Sequence, residues 1–453
     1  MAVPPRSRGV IKVRAERSSI VREVVLPAQS FLHTPKISGM LLLLAGVTAM
    51  LWANSPWASS YDHFWETILT IDAGVLSLSA DLRHWVNDGL MTIFFFVVGL
   101  EVKREVVQGA LSGVRRATLP AVAALGGMLV PALCYLALNL GGPGIKGWGV
   151  PMATDIAFAL GVLALLETRI PSALRLFLLA LAIVDDIGAI AVVAVFYTQH
   201  LAIEALAVAL GLLGLIIAMQ RVGVLSVNLY ILVGALFWAA VWKSGIHATI
   251  AGVVLGLVTP LRPYFSNRTF ANLADTLLHH FRDALAQEDT ARAEAMLGQM
   301  EELSQGTESP LERLERRVHP WSSYGIMPLF ALANAGLTLS GEVVQQAASS
   351  AVTWGIMAGL LVGKLVGVGG FAWLAVHLRL ADLPSGVRWL HMAGLGSLAG
   401  LGFTMAIFIA GIAFEDPSHT AMAKIGILTA SIVAGVGGYT ILRMATQKDS
   451  PQC

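Results

Sequence analysis

Two adjacent carboxylates lie in the middle of an apolar stretch. Asp185 and Asp186, in ALAIVDDIGAI, are the ionisable side chains of residues 176–196. An acid at bilayer depth is costly and usually functional. In a partly wet cavity, a carboxylate holds its proton near neutral pH more firmly than in water and can exchange it for a metal cation. The pair predicts a site at which H⁺ and Na⁺ compete.

A single lysine is the candidate counter-charge for these acids. Lys364, in LLVGKLVGVGG, and a third acid, Asp155, also lie in apolar stretches. Consecutive residues point about 100° apart on a helix, so Asp185 and Asp186 cannot share one partner. Lys364 can pair with one of them and leave the other free. A buried ion pair that only holds helices together is the alternative, but three acids and one base do not balance, and an excess carboxylate needs a cation or a proton.

Two interrupted helices are among the elements that must position these charges. Asp155 follows Pro151 and Thr154 in GWGVPMATDIAFALG, and such residues favour a helix break, which is tolerated where the backbone lines a cavity. The matching segment, 394–408, contains Gly396, Gly400, Gly402 and Thr404. Two interrupted segments in corresponding halves are typical of an inverted-repeat transporter with its site at the midplane. Taken alone, the later segment also fits a helix packed through glycines.

The composition places these segments in a membrane. Of 453 residues, 56% are hydrophobic and 13% are charged, and the mean hydropathy is +0.71, which is too apolar for a soluble protein of this length. A net charge of +1 and the lack of a nucleotide-binding or nucleic-acid-binding motif exclude a nucleic-acid-binding protein. Cys134 and Cys453 form no CxxC metal site, and no cofactor is expected.

We predict an all-α polytopic membrane protein with about twelve spans, each of about 20 residues. Span four and span eleven are the interrupted ones, span five carries the aspartate pair, and span ten carries the lysine. The predicted spans are 37–55, 85–105, 117–140, 147–166, 171–198, 201–220, 222–242, 246–261, 320–338, 353–378, 389–414 and 421–443.

The distribution of Lys and Arg predicts which loops are cytoplasmic. With the N-terminus inside, 25 of the 30 residues fall on inside segments, as the positive-inside rule requires. Both termini are therefore expected in the cytoplasm, the first as a basic tail beside inner-leaflet lipid. The predicted regions are the tail at 1–36, spans 1–8 in 37–261, a polar cytoplasmic block, predicted to be a helical hairpin, at 262–319, spans 9–12 in 320–443, and a C-terminal tail at 444–453.

Several motifs resemble those of the bacterial NhaA-type Na⁺/H⁺ antiporters. They are FFFVVGLEVKRE, GGMLVPALCYLALN, ATDIAFALGVLALL, LALAIVDDIGAIAVVAVFY, KSGIHATIAG, HPWSSYGIMPLFALANAG and GLGFTMAIFIA. The likeness covers residues 36–445 apart from 264–311. It implies inverted repeats in which spans 4 and 11 cross at the midplane. It also implies a secondary transporter that is not an enzyme, with electrogenic and pH-regulated export of Na⁺ in exchange for more protons. The transported ions that it implies are Na⁺, Li⁺ and H⁺. Membrane lipid and a second copy of the chain, as a homodimer, are further expected partners, and a bacterial inner membrane is the expected location.

The resemblance also implies roles for the charged residues. Asp186 corresponds to the principal Na⁺ and Li⁺ ligand and proton carrier. Asp185 is its partner. It either binds a proton itself or pairs with Lys364, and we expect that it pairs with Lys364. Thr154 and Asp155 match the interrupted fourth helix, where Asp155 offsets the exposed N-terminal helix dipoles and Lys364 offsets the C-terminal ends.

A further set of residues matches positions that the family associates with pH sensing. These are Glu101, Arg104, Glu105, His247, Glu315 and His319. The titration range of histidine suits that role, although a histidine beside a span also serves as an interfacial hydrogen-bonding residue. Asp88, in WVNDGLM, matches a position near the outer face or in the cation path. The chain departs from shorter family members in its long basic N-terminal tail and in the insertion before Glu312, which enlarges the loop leading to the sensor positions.

Three other classes of membrane protein are alternatives to an exchanger. An intramembrane aspartyl protease needs a GxGD motif, which is missing here, and it would leave Lys364 without a role. A cation-coupled symporter fits the interrupted helices, whereas a channel would need filter loops that the sequence does not contain. Na⁺/H⁺ exchange is the function that the sequence favours.

Overall fold

The fold is almost entirely helical. The computed structural model describes residues 35–72, 77–166, 170–198, 201–224, 226–263 and 265–447, so most of the predicted N-terminal tail and the last six residues lie outside the described part. Long apolar runs form helices in a membrane because lipid offers no water to the backbone, and its N–H and C=O groups must pair within the segment. The predicted all-α polytopic class is confirmed.

The first part of the chain contains the helices that carry Asp155 and the aspartate pair. They are α1 (Pro35–Ala53), α2 (Ala58–Trp65), α3 (Met91–Val107), α4 (Val114–Asn139), α5 (Ile156–Ala164), α6 (Ser172–Phe196), α7 (Ile203–Val222), α8 (Val227–Lys243) and α9 (Thr249–Val258). A short helix, Leu82–His84, and a π-helical segment, Trp85–Leu90, lead into α3, and a 3-10 helix, Pro143–Met152, precedes α5.

The second part of the chain carries Lys364 and the later interruption. Its helices are α10 (Asn267–Ala286), α11 (Thr290–Thr307), α12 (Pro310–Trp321), α13 (Met327–Asn334), α14 (Gly341–Ser349), α15 (Ala351–Ala358), α16 (Lys364–His377), α17 (Trp389–Ala399), α18 (Phe403–Ala413) and α19 (Pro417–Gln447). Two π-helical segments, Ser322–Ile326 and Gly359–Gly363, join α12 to α13 and α15 to α16. Such segments are rare and frequently occur at functional sites.

Each predicted span coincides with a helix or with consecutive helices. Within the described residues, five continuous helices have the length and hydropathy of a span, and three bent pairs raise this number to eight. The other four predicted spans, 85–105, 222–242, 246–261 and 320–338, correspond to shorter helices, so the total of twelve stays a prediction. The expected breaks in spans four and eleven are present as bends of 42° and 44°.

A β-hairpin between α2 and α3 was not expected from the sequence. Its strands, β1 (Ile68–Asp72) and β2 (Ser77–Asp81), are antiparallel, with Ile68 opposite Asp81. The chain bends by 116° between α1 and α2, so α2 does not extend the first span, and the hairpin follows α2. A run as short as ILTID escapes a search for apolar segments of about 20 residues, which is why this element was missed.

Glycines let the charge-bearing helices approach closely. A Cβ at Gly126 of α4 would lie 2.3 Å from the carbonyl oxygen of Gly367 in α16, and one at Gly367 would lie 2.2 Å from that of Gly126. Likewise, a Cβ at Gly252 of α9 would lie 2.1 Å from the Thr92 carbonyl oxygen of α3. Helix association in lipid depends on such close van der Waals packing, because apolar side chains gain little by leaving the lipid for each other.

The polar block after α9 forms α10 and α11, which pack against each other. The Phe265 N–H donates to the Gly306 carbonyl oxygen at 3.0 Å, which joins the two ends of this pair. The Leu311 N–H donates to the Pro260 carbonyl oxygen at 3.1 Å, and the Leu311 side chain is fully buried. Leu311 belongs to a buried cluster with Leu100 of α3 and Leu261, which packs α12 against α3.

Candidate functional site

The two interrupted helices meet at their breaks. Residues 153–155 separate the 3-10 helix from α5, and residues 400–402 separate α17 from α18. The Asp155 N–H donates to the Leu401 carbonyl oxygen at 2.6 Å, so the backbone of one break is bonded to that of the other. Because lipid cannot satisfy these groups, each break supplies partners for the other.

Asp155 caps the N-termini of both half-helices. Its Oδ1 accepts from the Phe158 N–H of α5 at 3.0 Å. Its Oδ2 accepts from the Thr404 hydroxyl at 2.5 Å and from the Thr404 N–H at 3.1 Å. A carboxylate at a helix N-terminus satisfies free N–H groups and interacts favourably with the helix dipole. Both oxygens of Asp155 are therefore used within the protein.

The glycines of the later break are required by close contact with Leu360. A Cβ at Gly400 would lie 2.2 Å from the Leu360 carbonyl oxygen. At Gly402 the nearest atoms are side-chain carbons, Ala406 Cβ at 2.9 Å and Leu360 Cδ2 at 3.0 Å. Leu360 belongs to the π-helical segment just before Lys364, so this contact joins the break to the helix that carries the lysine.

Lys364 pairs with Asp185 inside the protein. Both side chains are fully buried, and the ammonium contacts Asp185 Oδ2. Thr154 Oγ1 lies 2.6 Å from the same oxygen and 2.9 Å from the Ala399 carbonyl oxygen. A hydroxyl carries one proton, so Thr154 can donate to only one of these two acceptors at a time. The structure places Asp185, and not Asp186, against Lys364.

Asp186 forms no such ion pair within the described part of the chain. Its side chain is 1% exposed, and its Oδ1 has no hydrogen-bond partner among the described residues. Asp185 Oδ1 is also buried and also has no hydrogen-bond partner among the described residues. Burying an ionised carboxylate without compensation is very unfavourable. The two adjacent acids therefore present oxygens that need a proton or a cation, and carboxylate oxygens are ligands suited to hard cations.

Five of the residues assigned to pH sensing lie together at one end of α3. Arg104 pairs with Glu315 of α12, and its Nη2 lies 3.5 Å from Glu105 Oε1. His319 Nε2 lies 3.7 Å from Glu101 Oε1. Burial raises the pKa of Glu315 above its usual value, although the Arg104 guanidinium opposes this shift. This cluster of charged residues joins α3 to α12.

The sixth residue, His247, lies elsewhere and contacts Asp88 near the other end of α3. His247 Nδ1 is 3.8 Å from Asp88 Oδ1, and His84 Nε2 is 2.9 Å from Asp88 Oδ2. The hydrogen bond with Asp88 raises the pKa of His84. Asp88 and Glu101 are separated by roughly 20 Å along the helix, at about 1.5 Å per residue. The six residues thus fall into two clusters.

Sequence reasoning missed two residues of the Asp88 cluster, His84 and Trp238. Trp238 Nε1 lies 3.0 Å from Thr92 Oγ1 and 3.3 Å from the Asp88 carbonyl oxygen. The sequence did contain a signal for His84. It precedes Asp88 by four residues, and residues four apart face the same side of a helix. Trp238 carried no such signal, because only the packing of α8 against α3 brings it to this place.

Comparison with known proteins identifies relatives over most of the chain. Residues 29–442 match the family model described as Na⁺/H⁺ antiporter 1. The chain is 51% identical to Na(+)/H(+) antiporter NhaA 2 of Myxococcus xanthus over 424 residues, which is 90% of this chain and 87% of that protein. It is 47% identical to Na(+)/H(+) antiporter NhaA 2 of Sorangium cellulosum over 94% of this chain and 91% of the relative. It is 46% identical to Na(+)/H(+) antiporter NhaA of Oleidesulfovibrio alaskensis over 95% of this chain and 97% of that protein.

Proposed function

The chain belongs to the Na⁺/H⁺ antiporter family, and from this premise we propose that it extrudes Na⁺ in exchange for external protons by alternating the two ions on Asp186. It is a secondary transporter and not an enzyme, which removes the aspartyl-protease interpretation. Antiport needs a site that binds either Na⁺ or H⁺ but does not hold both at the same time. The observation that carries this proposal is the buried Asp186 oxygen, which has no hydrogen-bond partner among the described residues.

Asp185 and Thr154 complete the cation site. When Asp186 loses its proton, its carboxylate and the unpartnered Oδ1 of Asp185 attract Na⁺ or Li⁺. Thr154 then has a choice between Asp185 and the Ala399 carbonyl oxygen, so its hydroxyl can turn away from Asp185 as the cation arrives. Proton binding to Asp186 removes the charge that holds the cation. Competition for one carboxylate thereby couples the two ions.

Exchange is electrogenic because the Asp185–Lys364 pair supplies a second proton carrier. A cation beside Asp185 competes with the Lys364 ammonium for the same carboxylate. A buried ammonium without its partner is costly, so the pair releases a proton when Na⁺ binds and regains it when Na⁺ leaves. More than one proton therefore enters for each Na⁺ that leaves. Asp155 takes no part in the exchange, because both of its oxygens cap the two half-helices.

Transport is regulated by pH through the cluster that joins α3 to α12. Because the pKa of Glu315 is raised, its carboxyl keeps a proton to a higher pH than an ordinary glutamate. Its deprotonation as pH rises adds a negative charge beside Arg104, which strengthens the link between α3 and α12. Asp88, with His84 and His247, lies near the other end of α3 and forms part of the path by which cations leave or enter.

We place this multi-pass protein in a bacterial inner membrane with both termini in the cytoplasm. The asymmetry of Lys and Arg among the loops supports this orientation. Membrane lipid and a second copy of the chain are its expected partners. The exposed apolar residues of β1, Ile68, Leu69 and Ile71, favour a homodimer, since a free strand edge pairs readily with another strand.

The proposal is tested by transport in everted membrane vesicles. With acidified vesicles, added Na⁺ should drive proton exit in the wild type and in Asp275→Asn, a variant of an exposed acid on α10. Asp186→Asn cannot lose a proton or hold a cation, so this response should be abolished. Repeating the assay from pH 6 to 9 with Na⁺, Li⁺ and K⁺, and with a membrane-potential dye, measures pH regulation, ion preference and electrogenicity. Full activity of Asp186→Asn would overturn the assignment.

A further inference from the structure

The polar block before α12 carries an exposed apolar surface. Its helices, α10 and α11, pack chiefly against each other and are antiparallel, since the Phe265 N–H donates to the Gly306 carbonyl oxygen where the pair begins and ends. Leu278, Leu285 and Leu297 are nevertheless exposed, Leu285 by 55% and Leu297 by 51%. Leucines left in water are unfavourable, and an exposed apolar patch marks a candidate interaction surface.

These three leucines lie on one side of the helix pair. Each directly follows a buried or half-buried residue of the stripe that packs the two helices together, namely Leu277, Ala284 and Met296. One step along a helix turns the side chain by about 100°, always in the right-handed sense. Because the two helices run in opposite directions, this turn leads to the same side of the pair in both. We call the surface of Leu278, Leu285 and Leu297 the leucine face.

The helix pair that carries the leucine face is acidic. Residues 267–307 contain seven Asp and Glu residues and three Arg residues, so their side chains have a net charge of −4. Glu294 is exposed and lies three residues before Leu297, on the same side of α11. This negative charge is repelled by anionic lipid and by a second copy of the same surface. The leucine face therefore fits a partner that brings apolar and positively charged side chains together.

The N-terminal segment of the chain has this composition. Residues 1–34, which precede the described part, contain six Lys and Arg residues and two Glu residues, so their side chains have a net charge of +4. Apolar residues stand next to the basic ones, as in GVIKVRAER and SSIVREVVL. The segment therefore matches the leucine face in apolar character and is opposite to it in charge.

The segment joins the described structure close to the helix pair. Ser38, in the first turn of α1, donates from its hydroxyl to the Ser323 carbonyl oxygen at 3.1 Å, just beyond the end of α12. The other end of α12 directly follows α11, and a helix of 12 residues is about 18 Å long. A fully extended chain of 34 residues spans roughly 110 Å, which far exceeds this distance. The leucine face is therefore within reach of the segment.

We propose that segment 1–34 docks on the leucine face of α10 and α11 in the same chain. Its Val and Ile side chains cover the leucines, and its Lys and Arg side chains lie against the surrounding acids. Covalent attachment favours this partner, because a tethered segment has a high effective concentration. Since α11 leads directly into α12, the docked segment connects α1 to the helix that carries Glu315. This inference goes beyond Na⁺/H⁺ exchange and does not depend on the exchange mechanism.

Carbodiimide cross-linking of the full chain in detergent tests the docking. The reagent joins lysine amines to carboxylates that touch them, and Lys12 is the lysine of the segment. We expect links from Lys12 to Asp and Glu residues of 267–307, identified by mass spectrometry after digestion with chymotrypsin. Lys448, near the other end of the chain, is the internal control and should form few such links. The Lys12 links are also expected in nanodiscs that contain phosphatidylglycerol.

Two double variants of the helix pair test the location. Leu285→Arg/Leu297→Arg places positive charge on the leucine face, so the Lys12 links should fall roughly tenfold, as the loss of apolar contact at two leucines predicts. Thr276→Arg/Gln299→Arg is the matched control and should keep the links. It adds the same charge at exposed positions that directly precede the stripe between the helices, and these lie on the opposite side of the pair.

A variant of the segment itself leaves the helix pair unchanged. Arg14→Glu/Arg17→Glu reverses two charges of the segment and should weaken the same Lys12 links, because the acids of 267–307 then repel it. This variant keeps the test decisive if a substitution in α10 or α11 prevents folding. The midpoint of thermal unfolding in detergent shows that each variant is folded.

Four results would overturn the proposal. The first is equal linking by Lys12 and Lys448, and the second is an equal loss of links in the two double variants of the helix pair. The third is a link between a heavy-isotope copy and a light copy in a mixture of the two, which would assign the segment to a second copy. The fourth is loss of the links in phosphatidylglycerol nanodiscs, which would assign it to lipid.

The cross-linking test is separate from the test of antiport. A transport-dead Asp186→Asn protein should form the Lys12 links as the wild type does, because Asp186 lies in the buried ion site and not on the helix pair. Failure of the docking is therefore distinguishable from failure of the antiport mechanism.

Discussion

At the scale of single residues, two neighbouring aspartates have different environments. Asp185 shares one oxygen with the Lys364 ammonium and the Thr154 hydroxyl, while Asp186 has a buried oxygen without a partner in the described structure. The difference arises because consecutive side chains point about 100° apart on α6. Asp185 is oriented toward α16, and we propose that Asp186 binds the transported ion.

The buried Asp185–Lys364 pair predicts that removing only the lysine destabilises the protein more than removing both charges. Lys364→Gln leaves a buried carboxylate without its cation, and breaking a buried pair costs about 3–5 kcal/mol. The double variant Asp185→Asn/Lys364→Gln leaves no charge and should be less destabilised than the single one. The midpoint of thermal unfolding in detergent measures both.

Lys146→Gln is the matched control for this comparison. Lys146 forms an exposed pair with Glu415 at 3.7 Å, and exposed pairs contribute about 0–1 kcal/mol. Its unfolding midpoint should therefore stay close to that of the wild type. Equal stabilities of the single and double variants would mean that Asp185 is already neutral and carries a proton itself.

At the scale of helices, the site depends on two breaks that satisfy each other. Leu401 accepts from the Asp155 N–H, and Asp155 accepts from Thr404, so each interrupted helix supplies partners for the other. The π-helical segment Gly359–Gly363 packs on the later break and leads directly into Lys364. The position of the lysine is thereby coupled to the geometry of the break.

A methyl group at Gly400 should disrupt this contact. In Gly400→Ala the new Cβ would lie 2.2 Å from a backbone oxygen of Leu360, which cannot move as a side chain does. We expect a loss of about 1–3 kcal/mol in stability, typical of overpacking, and impaired Na⁺/H⁺ exchange. Thermal unfolding and the vesicle assay measure these effects.

The control for this substitution lies on the following helix. A Cβ added at Gly411, in α18, would have no described atom within 4 Å, so Gly411→Ala meets open space. Alanine also favours a helix over glycine by up to about 1 kcal/mol. Gly411→Ala should therefore be as stable as the wild type or more so. Similar losses in the two variants would show that the Leu360 contact is not what requires glycine at position 400.

At the scale of the whole molecule, two clusters of titratable residues lie near opposite ends of α3. The cluster of Glu101, Arg104 and Glu315 lies at one end of α3, and Asp88 with its two histidines lies near the other. Close glycine contacts hold α9 against α3 and α16 against α4. A change of charge at either end of α3 therefore acts on a helix that is closely packed against α9.

The β-hairpin predicts the oligomeric state. Every residue of β1 is exposed, and Ile68 and Ile71 are 71% and 50% exposed, as expected for a strand that pairs with another copy. We expect the wild type to be a dimer, and because charged residues oppose pairing of strand edges, Ile68→Glu/Ile71→Glu should be monomeric. Light scattering in detergent measures the mass of each.

The control for the hairpin keeps its shape and its apolar surface. Ile68→Val/Ile71→Val should remain a dimer, because valine favours strands as isoleucine does. Retained Na⁺/H⁺ exchange in vesicles would show that the glutamate variant is folded. A dimer of unchanged mass in the glutamate variant would mean that the hairpin is not the contact.

Much of the fold followed from local patterns. Apolar runs located the helices, and Pro151 and the glycines near residue 400 located the two breaks, because these residue types act on the backbone at their own positions. The β-hairpin escaped, since two strands of five residues carry too little apolar length to stand out beside membrane spans. The π-helical segments also escaped, because they depend on packing between helices that no local pattern records.

By itself, the sequence determined the chemistry of the site. It places three acids and one lysine in apolar segments, and its resemblance to a known family indicates Na⁺ and H⁺ as the exchanged ions. Only the tertiary structure decided which groups meet. It set Lys364 against Asp185, used both oxygens of Asp155 as caps, and separated His247 from the other residues assigned to pH sensing. The physical reason is that residue types decide what a site can bind, whereas pairings between distant residues depend on how helices pack, and helices far apart in sequence are brought together by contacts such as those of Gly126 and Gly367.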